Sequence, residues 1–374
     1  MTLFLCGDVM TGRGIDHVLA HASDPRLAEP YVKDAAEYVA LAEAANGPIP
    51  RPMRDADVWG DALAELAHVS PRATIANLET SITSSAAFWP GKGIHYRMHP
   101  ANVGCLTAAR LDVVTLANNH VLDFGVAGLL ETLDVLAGAG IRTAGAGRSI
   151  GAAQAPAIVP MPGSRLLVFA FADASSGVFR QWAATADGPG VDLLPDLSTT
   201  TADAILAGIA RARHTRDVVV VSMHWGGNWG YDVPAAHRRF AHRLIEGGVD
   251  LVHGHSSHHP RPIETFRDRL ILYGCGDFIN DYEGIPGYDE YRDDLTLMYF
   301  PSLETGTGRL LSLRMVPMQL RHFRPMQASS RDARWLCDRL NAASAALGTT
   351  IEIASDGALV VPALAASGIN ADES

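Results

Sequence analysis

An α/β domain with two sheets is what this sequence predicts, on three observations. Short apolar runs alternate with amphipathic stretches along nearly the whole chain. No low-complexity tract or Pro/Gly/Ser-rich linker divides it, so residues 1–362 read as one domain, followed by a frayed tail, 363–374. Hydrophobic residues make up 48% of the 374, ample for the core that two sheets require.

Leu3–Cys6 predicts a strand that delivers Gly7 and Asp8 to its carboxyl end. Residues 21–54 are rich in turn formers (Pro25, Pro48, Pro50, Pro52) around a short helix, Val32–Ala45, and read as an insertion that caps a site. Val58, Leu63, Leu66 and Val69 recur at helical spacing over Asp57–Val69. Ala73–Ala76 is a strand that delivers Asn77 and Glu79. A polar loop, Ser84–Pro100, leads to a helix ending near Arg110 and to the strand Val113–Ala117, which delivers Asn118, Asn119 and His120. Gly125–Ala139 is helical, with Leu129, Leu130, Leu133 and Leu136 on one side. The strand Arg165–Ala172 ends at Asp173, and the helix Thr200–Arg213 precedes the β-branched strand Val218–Met223, which delivers His224. Helix Ala235–Ile245 then leads into the loop Val252–Pro260. Strands over Leu270–Gly274, Leu295–Phe300 and Leu310–Val316 follow. Residues 332–362 close the domain with the helix Asp332–Leu347 and a hairpin, Thr350–Val361, turning at Asp356 and Gly357.

Composition narrows the function. Thirty Lys and Arg stand against 41 Asp and Glu, a net charge of −11, which argues against nucleic acid or an anionic membrane surface as partner. The four cysteines (Cys6, Cys105, Cys275, Cys337) show no CxxC and no disulfide-like spacing. No run reaches the ~20 apolar residues of a membrane span. Met1 is followed directly by a strand, without the regions of a signal peptide, so a cytoplasmic location is expected.

The informative pattern is where polar residues fall. Ligands of open α/β sheets gather beyond the carboxyl ends of strands. Here five strand ends carry a metal-competent group: Asp8, Glu79, Asn119 with His120, His224, and His255 with His258. Four of the 15 histidines lie within seven positions (His253, His255, His258, His259), between an apolar run and Pro260. One acid after a strand is usually a cap or turn former, but five such groups in succession are not caps. Carboxylate, amide oxygen and imidazole together suit manganese, iron or zinc, and a carboxylate can bridge two ions.

In matching order, GDVMTGR (7–13), NLET (77–80), ANNHVLDFG (117–125), HWG (224–226), GHSSHHP (254–260) and LILYGCGDF (270–278) resemble the CapA-type poly-γ-glutamate biosynthesis proteins. That family belongs to the calcineurin-like metallophosphoesterase superfamily, and the resemblance runs from about Leu3 to Phe300. It implies a four-layer αββα metallophosphoesterase-like sandwich with two mixed sheets and a centre of two divalent metal ions between the sheet ends. Asp8 and His258 would then hold the first ion, Glu79 would bridge, and Asn119, His224 and His255 would hold the second. His120 matches the histidine that protonates the leaving group. Three departures bear on this. Met10 stands where the superfamily carries His, Glu79 replaces a bridging Asp, and the closing motif Gly254-His255-Ser256-Ser257-His258 is one residue wider. The first site is one ligand poorer and so weakly occupied, unless His253 or Asp123 substitutes.

Around that centre, Arg13 can pair with a substrate phosphate or carboxylate, or make a structural salt bridge. Lys92, His95, Tyr96 and Arg97, with Trp89, read as an anion-gripping loop for the substrate. Asp123 either orients His120 or caps the helix after Gly125. Trp225 and Trp229 read as pocket walls, and Asp173 and Arg180 as the rim. Asp277 repeats the Cys-Gly-Asp of residues 6–8; we treat the repeat as coincidence and give Asp277 a supporting role. The leading function is metal-dependent hydrolysis of a small anionic substrate, a phosphoester or a glutamyl-type amide, with His120 as general acid. Two alternatives come from other classes: a non-catalytic accessory of poly-γ-glutamate synthesis, a capsule-type polymer, and a metal-stabilised binding module.

Overall fold

The computed structural model describes residues 1–362; the expected frayed tail lies outside the described residues. A ten-stranded sheet runs in the order Glu352–Ile353, Leu359–Val361, Leu310–Arg321, Leu295–Leu303, Phe4–Val9, Thr74–Leu78, Val113–Thr115, Arg142–Ala144. Asp277–Ile279 adds to Phe4–Val9, and Arg324–Gln327 to Leu310–Arg321. The six-stranded sheet runs Ile263–Phe266, Arg269–Leu272, Leu251–His255, Val218–His224, Ser164–Ala172, Ala157–Met161, with its four inner strands parallel. Antiparallel strands at the edges make both sheets mixed. Helices Thr199–Ala212 and Ala235–Glu246 cover the smaller sheet, and Ala62–Val69, Gly104–Ala108 and Gly125–Gly138 lie against the larger. This is the expected four-layer sandwich. Among the described residues, no helix is long and apolar enough to cross a membrane.

Strand alternation decides which side chains reach the space between the sheets. Along Val218–His224, Val219, Val221 and Met223 pack with Phe240 and Leu244 of the covering helix. Val218 and Val220 instead join the core shared by the two sheets, and Ser222 and His224 continue that inward row. In the same way Leu251 faces inward and Val252 outward, which turns His253 and His255 inward.

Several elements differ in detail from expectation. The helix expected over Asp57–Val69 is two pieces, a 3₁₀ turn Asp55–Trp59 and the helix Ala62–Val69. Gly60 breaks it at φ 47, where a Cβ would lie 2.2 Å from the Pro325 carbonyl oxygen. The helix of the insertion starts at Ala35 rather than Val32, because the Asp34 side chain accepts from Ala36 N as its cap.

The tightest approach lies beside the strand ends. At Gly7 the pairing register shifts between Cys6 and Asp8, and a Cβ would stand 1.8 Å from the Gly276 carbonyl oxygen. Gly7→Ala should therefore lower stability by about 3 kcal/mol through forced backbone shifts. The control Gly138→Ala, whose Cβ meets nothing within 4 Å, should leave stability unchanged or slightly higher. Denaturant unfolding of both variants checks this; an unperturbed Gly7→Ala would contradict the close contact.

Candidate metal centre

Asp8 emerges from the first strand fully buried. Asn77, on the neighbouring parallel strand, donates from Nδ2 to Asp8 Oδ1 at 2.7 Å and to Glu79 Oε2 at 3.1 Å, so one amide holds both carboxyls. The Ser256 backbone N–H donates to the other Asp8 oxygen at 3.1 Å. Opposite them, His224 Nδ1 and His255 Nδ1 face each other at 2.8 Å. His255 Nδ1 lies 3.7 Å from Asp8 Oδ1, and His224 Nδ1 lies 3.9 Å from Glu79 Oε2. Asp8, His224 and His255 each offer a ligand atom, all within 4.8 Å of one another.

Hydrogen bonding constrains the tautomers. His253 Nε2–H donates to the Cys6 carbonyl at 2.9 Å, which leaves its Nδ1 an acceptor. Ser222 stands 3.2 Å from that nitrogen and 2.7 Å from His255 Nε2. The Ser222 hydroxyl also lies 3.4 Å from Thr115 Oγ1; where its proton goes to His253, His255 Nε2 donates to Ser222 Oγ and His255 Nδ1 keeps a free lone pair. His224 Nε2 donates to Asn119 Oδ1 at 3.1 Å, and its Nδ1 is likewise unprotonated. Two lone pairs at 2.8 Å cannot satisfy each other, whereas a cation between them can.

The charges agree. Burial, and then the neighbouring Asp277 carboxylate, push Asp8 up to about 7. Burial, with Asp8 and Asp277, holds Glu79 well above the usual carboxylate range. Burial keeps His224 and His255 neutral, the form that binds metal. Neutral imidazoles and crowded carboxylates without a compensating cation are the donor set a divalent ion fits.

Residues 2–282 match the model of the family described as bacterial capsule synthesis protein PGA_cap. The chain belongs to the PGA_cap family. It is 46% identical, over 366 residues, to a "Probable polyglutamine synthesis accessory protein" of Mycobacterium tuberculosis, covering 97% of this chain and 96% of that one. The PGA biosynthesis protein CapA of Bacillus subtilis is 30% identical over 219 residues, 58% of this chain and 54% of its own. The capsule biosynthesis protein CapA of Bacillus anthracis is 25% identical over 245 residues, 64% and 55% respectively. Among solved structures, TT1561 of Thermus thermophilus aligns at 12% identity and TM-score 0.37, over 82% of this chain and 99% of that one.

In this PGA_cap protein the expected ligands divide. Asp8, His224 and His255 converge, with Glu79 beside them. Asn119 stands outside that group, since its amide oxygen meets the far nitrogen of His224 and orients the ring. His258 is turned away to Asp277, with Nδ1 2.9 Å from one carboxylate oxygen and 3.1 Å from the other. Burial opposes the charged form of His258, but Asp277 raises its pKa above the ordinary value. Treating the Cys-Gly-Asp repeat as coincidence was incorrect. Asp8 and Asp277 are register partners on adjacent parallel strands, so Asp277 stands where the carboxylates crowd. His253, locked between Cys6 and Ser222, does not replace the ligand missing at Met10, and neither does Asp123.

Asp123 orients His120, with Oδ2 2.6 Å from Nδ1, and caps no helix; the cap position is Phe124. Tyr96 donates its backbone N–H to Asp123 at 2.7 Å and sets its ring edge-on to His120. Lys92 is not a free anion grip, because it is buried in an ion pair with Asp123 beside His120. Burial, and then the Lys92 charge, hold His120 well below the ordinary imidazole value, so it rests neutral rather than poised as an acid. Its Nε2 faces Glu79 Oε1 at 3.8 Å.

Three further expectations are corrected. Arg13 is buried and fully engaged, by Asp281 on two nitrogens, by Glu29 at 3.1 Å and by the Tyr38 hydroxyl at 3.0 Å. Arg97 donates to the Ser85 and Asp24 carbonyls and ties loops together. Trp225 is core, stacked on His237 and bonded to the Tyr273 carbonyl. Trp229 does sit near His258, stacked on Tyr288 at 3.9 Å. His95 bonds the Trp89 carbonyl, Asp173 caps a 3₁₀ turn, and Arg180 is exposed. Asn77 and Ser222 were missed. The signal for Ser222 was its place two residues before His224, on the same inward row.

Two outcomes follow from these contacts. His224→Ala and His255→Ala should lose most bound divalent metal and Ser222→Ala about 10–100-fold in affinity, while His259→Ala, whose Nδ1 is bonded to the Pro260 carbonyl, retains it. Elemental mass spectrometry on purified variants reads this, and equal losses at all positions would refute the ligand set. Arg13→Met leaves the buried Asp281 and Glu29 without their counter-charge, with only the Gly14 N–H and the Tyr38 hydroxyl still donating to them, so unfolding stability should fall by about 3–5 kcal/mol with metal content unchanged.

Proposed function

We propose that this PGA_cap protein is a metal-dependent hydrolase that cleaves a glutamyl-type amide or a phosphoester of a small anionic substrate. The observation that carries this reading is the pair of Nδ1 atoms of His224 and His255, aimed together at 2.8 Å beside Asp8 and Glu79. Asp8, His224, His255 and Glu79 would hold one ion, and Asp8 with Asp277 the second, Asp277 supplying what Met10 does not and His258 bracing Asp277. Bound there, divalent ions of manganese, iron or zinc would polarise the scissile bond and acidify the attacking water.

The chain's own residues handle the proton. Asp123 Oδ2 at 2.6 Å draws the His120 proton to Nδ1, beside which Lys92 Nζ also stands at 2.9 Å, and Nε2 would then present a lone pair toward the cluster. His120 first accepts a proton at Nε2 and then returns it to the departing group, with Asp123 steadying the imidazolium and Lys92 balancing Asp123. The M. tuberculosis relative's name favours a second reading, in which the same centre serves an accessory role in polymer synthesis without turnover.

His120→Ala should keep its fold and metal while losing about 10²–10⁴ in turnover on the best substrate from a panel of phosphoesters and γ-glutamyl amides. The loss should be smallest where the leaving group needs no proton. Full activity on a poor leaving group would overturn the proton relay, and a metal-loaded protein inert across the whole panel would leave the accessory reading in place.

A further inference from the structure

A groove on the helix-covered face of the smaller sheet, away from the metal cluster, is not accounted for by that centre. It encloses about 500 Å³ between the strand Ser164–Ala172 and the helix Thr199–Ala212. Phe169, Phe171, Leu194 and Ile205 are its buried apolar floor. The small residues Ala204 and Gly208 on the helix leave it open.

Asp192 stands among these side chains at 4% exposure. Gln154 lies against its carboxyl, yet Oδ2 has no hydrogen-bond partner among the described residues. A buried acceptor in that state is costly, so it calls for a donor. A water shared with Gln154 could satisfy Oδ2 but would leave the apolar floor of the groove uncovered. An anion is repelled, and a purely apolar ligand leaves Oδ2 unsatisfied. A cationic nitrogen is the strongest partner for a carboxylate.

We propose that this groove binds a small organic amine, its apolar body on Phe169 and Phe171 and its protonated nitrogen donating to Asp192 Oδ2. The volume suits a ligand of that size. Burial pushes the Asp192 carboxyl up to about 7, consistent with an acid that lacks its counter-charge. Phe169 and Phe171 belong to the outward row of their strand, so occupancy of the groove is separable from the metal centre.

The test is isothermal titration calorimetry of the full chain with 2-phenylethylamine, against phenylacetate and 2-phenylethanol. The amine should bind saturably, the carboxylate not at all, and the alcohol more weakly. Asp192→Asn keeps shape and loses charge, and should weaken amine binding by about tenfold or more. Gly208→Trp fills the groove, and a Cβ there meets only the Arg211 guanidinium at 3.7 Å, so the fold should survive and binding should vanish. No saturable amine binding at millimolar concentration, equal affinity in Asp192→Asn, or binding retained in Gly208→Trp would each overturn the proposal. Should Asp192→Asn fail to fold, Gly208→Trp decides alone.

Discussion

Two neutral imidazoles whose Nδ1 atoms face each other at 2.8 Å are the constraint around which the centre is built. The arrangement is imposed from outside the pair. A backbone carbonyl at Cys6 fixes His253, His253 fixes Ser222, and Ser222 fixes His255, while Asn119 fixes His224. These hydrogen bonds form a continuous chain that couples the ring orientations across the space between the sheets. The Cys6 carbonyl belongs to the larger sheet and His253 to the smaller, which makes the centre a property of their packing.

The carboxylates are held in the same manner. Asp8, Glu79 and Asp277 would separate if nothing restrained them, since like charges in a buried setting repel strongly. Asn77 clamps Asp8 and Glu79 with one amide, and His258 and Asn280 brace Asp277. Gly7 permits the close approach to Gly276 that sets Asp8 and Asp277 side by side.

Two buried cations flank the cluster, and both serve the scaffold. Arg13 bridges Asp281 to Glu29 and Tyr38, which fastens the 21–54 insertion to the first strand's exit loop. Lys92 closes on Asp123 and so stiffens the support of His120. A guanidinium or ammonium this buried persists only when paired, which is why neither remains available to a substrate.

By itself the sequence determined the alternation of strands and helices and the strand ends that carry Asp8, Glu79, His224 and His255. These are local properties, because a period of two residues decides which face a side chain takes wherever the strand is packed. His120 and Asp123 are three residues apart in a turn, and their contact chose between the two roles the sequence left open for Asp123. The tertiary structure alone decided which polar groups remain free. Arg13 meets Asp281 across 268 positions, and Asp8 meets Asp277 through strand pairing that nothing near either residue announces. The buried place of Trp225 depends likewise on His237 and Tyr273. A long side chain's partner is set by which strand or loop packs beside it, and the spacing of residues along the chain carries no record of that.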